Sequence, residues 1–144
     1  PQPSEGSRTM SWLVDTNVLS ELSRRSPDPR VTDWLASHED KIWISVLTLG
    51  ELEKGLARVQ EPARRVRLQR WIRREVPDWF SDRILPIDLE VAVRWGRLTG
   101  ELRDPMPAID SLLAATAMVH GLKIATRNVE DFAASGVPIL SPWK

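Results

Sequence analysis

The chain has 144 residues, 42% of them apolar, with 20 basic and 20 acidic side chains and therefore no net charge. That length suits one domain around one core, and the charge balance excludes a strongly basic nucleic-acid binder while leaving room for a local patch. The absence of Cys removes disulfides and thiolate metal sites, two His argue against zinc catalysis, and no apolar run reaches membrane-spanning length.

Residues 1–9 read as the remnant of an expression tag ahead of a native start at Met10, leaving 10–144 as a single domain. No secretory leader pattern follows, so the cytoplasm is the expected compartment. A short strand is expected at 11–14 and a helix at 15–24, ended by Pro27 and Pro29. Val31, Trp34 and Leu35 recur on one helical face. The β-branched stretch 42–46 predicts a second strand, and 48–59 a helix with Leu49, Leu52 and Leu56 on one side. Pro62 opens an Arg-rich helix to about Val76. A third strand at 84–87 precedes a helix at 89–102 with Val93 and Leu98 inward. After the loop at 104–107 comes an apolar helix at 109–120, for which Gly121 is a suitable stop. Strands at 123–126 and 137–140 flank a turn or short helix at 128–132. Short apolar strands alternating with helices predict an α/β fold with a mainly parallel sheet covered on both faces.

In such sheets ligands bind beyond the carboxyl ends of the strands. Acidic residues fall there repeatedly. Asp15 ends the first strand, Glu51 follows the second, Asp110 opens the apolar helix leading to the fourth, and Asn128 and Asp131 follow the fourth. Each has a plain structural alternative. Asp15 and Asn128 are suitable helix caps, Thr48-x-x-Glu51 matches a capping box, and Asp110 suits a first helical turn. Capping alone predicts scattered acids, not several at one sheet edge. Clustered carboxylates repel, and burial penalises them further. A divalent cation relieves both costs. Oxygen ligands without Cys or a His set suit Mg²⁺ or Mn²⁺, which promotes phosphodiester hydrolysis by activating water and stabilising charge on the phosphate.

These residues carry a resemblance. Asp15-Thr16-Asn17 after an apolar strand, Thr48-Leu49-Gly50-Glu51-Leu52, Pro107-Ala108-Ile109-Asp110-Ser111 and Thr126-Arg127-Asn128 occur in the order of a PIN-domain nuclease. The match runs from about Met10 through the closing Val137-Pro138-Ile139-Leu140-Ser141-Pro142-Trp143. The chain is similar to the VapC and FitB type of bacterial toxin. The resemblance implies a parallel sheet of about five strands sandwiched by helices, a homodimer, an Mg²⁺- or Mn²⁺-dependent endoribonuclease activity and a cognate VapB-like antitoxin. It also implies that Asp15, Glu51 and Asp110 are the catalytic carboxylates. The fourth acidic position falls on Asn128, which adds no charge. Asp131, one turn on, is then a further metal ligand beside Asp15, Asp110 and Glu51.

Residues 58–74 hold seven Arg against one acid, Glu61. If Leu68, Trp71 and Ile72 bury one stripe, Arg67, Arg70 and Arg74 share another, as an RNA contact, an antitoxin contact or a solvated face. His38 and His120 read as structural, and Trp34, Trp71, Trp79 and Trp95 as packing. No Gly-rich phosphate loop or Ser–His spacing appears. Two other function classes stay open: a catalytically dead PIN-like protein that binds RNA or a partner, and a metal-dependent DNA nuclease or phosphatase.

Overall fold

The computed structural model describes residues 11–144; the tag remnant and start expected at 1–10 lie outside the described residues. Five strands, β1 (Trp12–Val14), β2 (Ile42–Ser45), β3 (Ile84–Leu85), β4 (Lys123–Ala125) and β5 (Ile139–Leu140), form one all-parallel sheet in the order β3-β2-β1-β4-β5. Successive strand residues point to opposite faces. Val14, Ile42, Ile44 and Ala125 therefore enter one core, while Leu13, Trp43 and Ile124 enter the other. The expected α/β sandwich is the architecture found.

The first core is closed by α1 (Thr16–Ser20), α2 (Pro29–Ser37), α3 (Val46–Leu56) and the run α4 (Pro62–Arg70) to α5 (Val76–Phe80). The second lies under α6 (Leu89–Glu101), α7 (Ala108–His120) and the short α8 (Val129–Phe132). Among the described residues, no helix is long and apolar enough to cross a membrane.

Several boundaries depart from expectation for local reasons. The third and fifth strands are shorter than expected, because Pro86 and Pro138 have no N–H for a ladder. The Arg-rich helix does not stop at Val76. A π-turn at Trp71–Glu75, with the Val76 N–H donating to the Trp71 carbonyl, widens the helix before Pro77 and lets it continue to Phe80. Val93 faces outward at 45% exposure, whereas Val91 and Leu98, seven residues apart, face in. Trp95 lies at the protein's rim rather than in a core, and its indole N–H donates to Ser111 Oγ at 2.8 Å. Trp34 and Trp71 pack on the first core as expected, and His38 stacks on Trp34 with ring centroids 4.3 Å apart.

The cap of α3 is also displaced. Ser45, not Thr48, is the N-cap, its Oγ accepting the Leu47 N–H at 3.0 Å. Thr48 lies inside the helix, fully buried, and its hydroxyl has no hydrogen-bond partner. Ser45→Ala should therefore cost about 1 kcal/mol. Thr48→Val should cost nothing or stabilise, since it removes an unsatisfied buried hydroxyl. Urea denaturation of both variants checks this, and the opposite order would return the cap to Thr48.

Candidate active site

The chain winds outward from β1 through β2 to β3, then returns to build β4 and β5 on the other side of β1. The winding reverses between β1 and β4, so the crevice of a doubly wound sheet lies beyond their carboxyl ends. Asp15 is the first residue past β1 and is 5% exposed. Its N–H donates to the Ala125 carbonyl at 2.9 Å, continuing the ladder by one residue. One carboxylate oxygen accepts the Thr16 N–H at 2.7 Å and the other the Thr126 hydroxyl at 2.7 Å. The Thr126 hydroxyl in turn accepts the Asn128 N–H at 3.0 Å. Asn17 Oδ1 accepts the Arg127 N–H at 3.2 Å, a second tie between the two strand ends.

Glu51 does not close a capping box. It sits in the second turn of α3, half-buried, and its Oε1 accepts the Thr16 hydroxyl at 2.6 Å. Asp110 stands in the first turn of α7, whose N-cap, Pro107, offers no side-chain bond. Because α7 returns the chain to the start of β4, its own start lies at the carboxyl edge, which brings Asp110 to the site.

The electrostatics show which carboxylates share this space. Burial, with the charges of Asp15, Asp131 and Glu51 adding to it, pushes the Asp110 carboxyl up to about 6. Asp15 is raised as well, first by burial and then by Glu51 and Asp131, against the hydrogen bonds from Thr126 and Thr16 that favour its charged form. The fold thus brings Asp15, Glu51, Asp110 and Asp131 within mutual influence. Asn128 makes no side-chain cap bond with α8 and joins through its backbone. Arg67, Arg70 and Arg74 are exposed on the Arg-rich helix, with Leu68 and Trp71 half-buried and Ile72 buried as expected. Thr16, Asn17 and Thr126 carry the family resemblance as motif members, but their part in the site, holding Glu51, Arg127 and Asp15, appears only in the structure; their signal is their place directly beside the acids at two strand ends.

The donor set, four carboxylates and an amide, suits a hard cation. In the side-chain positions described, no three His or acidic groups converge closely enough to enclose one. Asp15 and Glu51 instead spend oxygens on the two threonine hydroxyls. The residues fit a divalent ion by chemistry, and Glu51 and Asp110, both half-buried, have solvent beside them in which to change rotamer. A cavity of about 480 Å³ lies at the opposite edge, between Gly121–Lys123 and Ser135–Pro138, and includes none of these residues.

A family model described as the PIN domain matches residues 12–135. The chain belongs to the PIN-domain family. This PIN domain is 35% identical to the VapC ribonuclease Y4jK of Sinorhizobium fredii, over 92% of the chain and 97% of that protein. It is also 35% identical to toxin FitB of Neisseria gonorrhoeae, over 91% and 97%. The crystal structure of FitAcB from Neisseria gonorrhoeae superposes with a TM-score of 0.86 at 33% identity, covering 92% of this chain and 98% of that one.

The raised Asp110 has a consequence for stability. The folded PIN domain keeps its proton to about pH 6, while the ordinary value is 3.8. Ionisation therefore costs stability as pH rises through that window, and the loss persists above it. Asp110→Asn removes the penalty without metal. After discounting for solvent screening, the gain at pH 8 should be about 1 kcal/mol, or roughly 3 °C in Tm. At pH 3.5 the two melting curves should coincide. A lower Tm for the variant at pH 8 would make Asp110 a helix-terminus acid and nothing more.

Proposed function

We propose that this PIN-domain protein is the toxin of a toxin–antitoxin pair, an Mg²⁺- or Mn²⁺-dependent endoribonuclease acting at the four-carboxylate edge. The observation that carries this reading is the crowding of acids at one edge: burial raises both Asp15 and Asp110, Glu51 and Asp131 add to both and Asp15 adds to Asp110, with no Lys or Arg salt bridge to either among the described residues. A protein keeps such an arrangement where a cation completes it. The names of the relatives, ribonuclease and toxin, point the same way.

Asp15 and Asp110 hold the cation, with Asp131 supporting them. Glu51, fixed by Thr16, ligates or orients the attacking water, and Asn128 offers a carbonyl oxygen at the fourth position. The bound ion supplies an activated water and charge stabilisation at the scissile phosphate. Thr126 keeps Asp15 in the rotamer that faces the crevice. The partners in this reading are a VapB-like antitoxin, an RNA strand and a second copy of the chain, all in the cytoplasm. An Arg or Lys of the antitoxin placed among Asp15, Glu51 and Asp110 competes with the cation for the same charges.

Expressed alone in a bacterium, the wild type should arrest growth, and Asp15→Asn should not. In the purified protein, Mg²⁺ or Mn²⁺ should raise Tm by mass action, and much less in Asp15→Asn. Arrest that persists in Asp15→Asn, with unchanged metal response, would favour a binding protein without catalysis. Cleavage of DNA in preference to RNA would move the reading to a DNA nuclease.

The exposed Arg67, Arg70 and Arg74 provide the local positive surface that a neutral chain needs for RNA. Replacing all three by Ala in an Asp15→Asn background should make the slope of log affinity against log salt shallower by roughly 2, at about 0.7 per lost contact. Stability should hold, because Leu68, Trp71 and Ile72 are untouched. An unchanged slope returns the stripe to a solvated face. Loss of antitoxin binding alone assigns it to the partner.

A further inference from the structure

Beside the carboxylates lies an open cavity of about 560 Å³, bounded by Glu21, Arg24, Ser26–Arg30, Arg127 and Trp143. Its size is within the range of small-ligand sites. Arg127 connects it to the candidate active site. That residue directly follows Thr126, whose hydroxyl holds Asp15, and its N–H is fixed by Asn17. Its side chain is exposed and carries no carboxylate salt bridge among the described residues. The guanidinium lies over the Trp143 ring, 4.9 Å from the centroid, and its charge adds to that of Arg30 in lowering the Asp28 carboxyl in the same cavity wall. Trp143 is 8% exposed, so the indole is a fixed backing for that guanidinium.

The other walls are also set. Glu21, 3% exposed, accepts the Asp28 N–H at 2.7 Å and Arg24 at 3.3 Å. Asp28 pairs with Arg30 at 2.7 Å, Pro27 stiffens the loop before it, and Pro29 opens α2. Arg24 and Arg30 keep most of their side chains in solvent, at 59% and 63% exposure. On its other side Arg127 lines a second polar cavity, of about 320 Å³, with Asn128, Asp131 and Lys144. Arg127 is thus the common wall between the carboxylate edge and the arginine-rimmed cavity.

We propose that the cavity of Arg24, Arg30, Arg127 and Trp143 is a nucleotide subsite, which takes the nucleotide adjoining the scissile phosphate of a single-stranded RNA. This rests on the ribonuclease reading above. The Arg127 plane, backed by Trp143, stacks the base, and Arg24 and Arg30 face the phosphate that follows it. Single-stranded RNA is recognised in this manner, by bases turned out onto aromatic rings and guanidinium planes. Arg127 is a positioning residue here: it binds the strand beside the reacting phosphate and takes no part in the proton transfers.

The test uses the full chain with Asp15→Asn and a mixed-sequence single-stranded RNA 12-mer, with affinity measured by fluorescence anisotropy across salt. Adding Arg127→Ala should weaken binding about tenfold, the loss of one stacked base and one phosphate-side charge, and reduce the salt slope by about 0.7. Arg127→Lys should restore the slope but not the affinity, because an ammonium has no planar face. In the otherwise intact enzyme, Arg127→Ala should raise KM with little change in kcat. Equal urea midpoints would show that the fold is unaffected. RNA binding by the Asp15→Asn parent that Arg127→Ala leaves unchanged would overturn the subsite while sparing the ribonuclease reading. No RNA binding or cleavage by any form would remove both. Unchanged RNA affinity with weakened antitoxin binding would also overturn the proposal and give the cavity to the protein partner.

Discussion

The carboxylate edge depends on one buried hydrogen bond, from the Thr126 hydroxyl to the Asp15 carboxylate. A carboxylate at 5% exposure loses most of its hydration, and no cation among the described residues forms a salt bridge with it. Two neutral donors, the Thr126 hydroxyl and the Thr16 N–H, offset part of that cost. The Thr126 bond requires β1 and β4 to be in register, with Val14 opposite Ala125. A slip by one residue would turn Thr126 to the other face and leave the acid unsupported. The sheet pairing and the site geometry are therefore a single constraint.

The remaining acids are delivered from opposite layers. Glu51 arrives on α3, which covers the first core, and Asp110 on α7, which covers the second. They meet because parallel strands end at one edge and both helices begin there. Repulsion between them is tolerated because the elements that hold them are anchored elsewhere: Leu52 and Leu56 bury one face of α3, and Leu113, Ala114 and Ala117 one face of α7. Packing free energy distant from the site offsets the electrostatic cost within it.

Charge is distributed unevenly on a chain that is neutral overall. The acids gather at the carboxyl edge. Beside them stands Arg127, with Arg24 and Arg30 on the same cavity, and Arg64 and Arg67 of α4 line a further cavity with Leu22 and Ser23. Such separation gives a neutral chain local fields of both signs. Glu53 and Arg73, paired at 2.9 Å, mark where the basic helix is tied back to α3.

The alternation of strands and helices and the acids at strand ends were legible in the sequence, because burial writes apolar periodicity directly and because Asp15, Glu51, Asp110 and Asn128 each stand in a distinctive local pattern. The order of the strands, the reversal between β1 and β4, and the partners of each acid were not. Thr48-x-x-Glu51 reads locally as a capping box, yet Glu51 bonds Thr16, 35 residues away, and Ser45 caps the helix. Val93 fits an inward stripe equally well until the packing of α6 on α7 selects Val91 and Leu98. By itself, the sequence determined which residues are apolar, acidic or basic and with what period, since those are properties of neighbours along the chain. The tertiary structure alone decided that Thr126 holds Asp15 and that Arg127 lies over Trp143, because contacts between residues distant in sequence follow from packing and register, which no local pattern encodes.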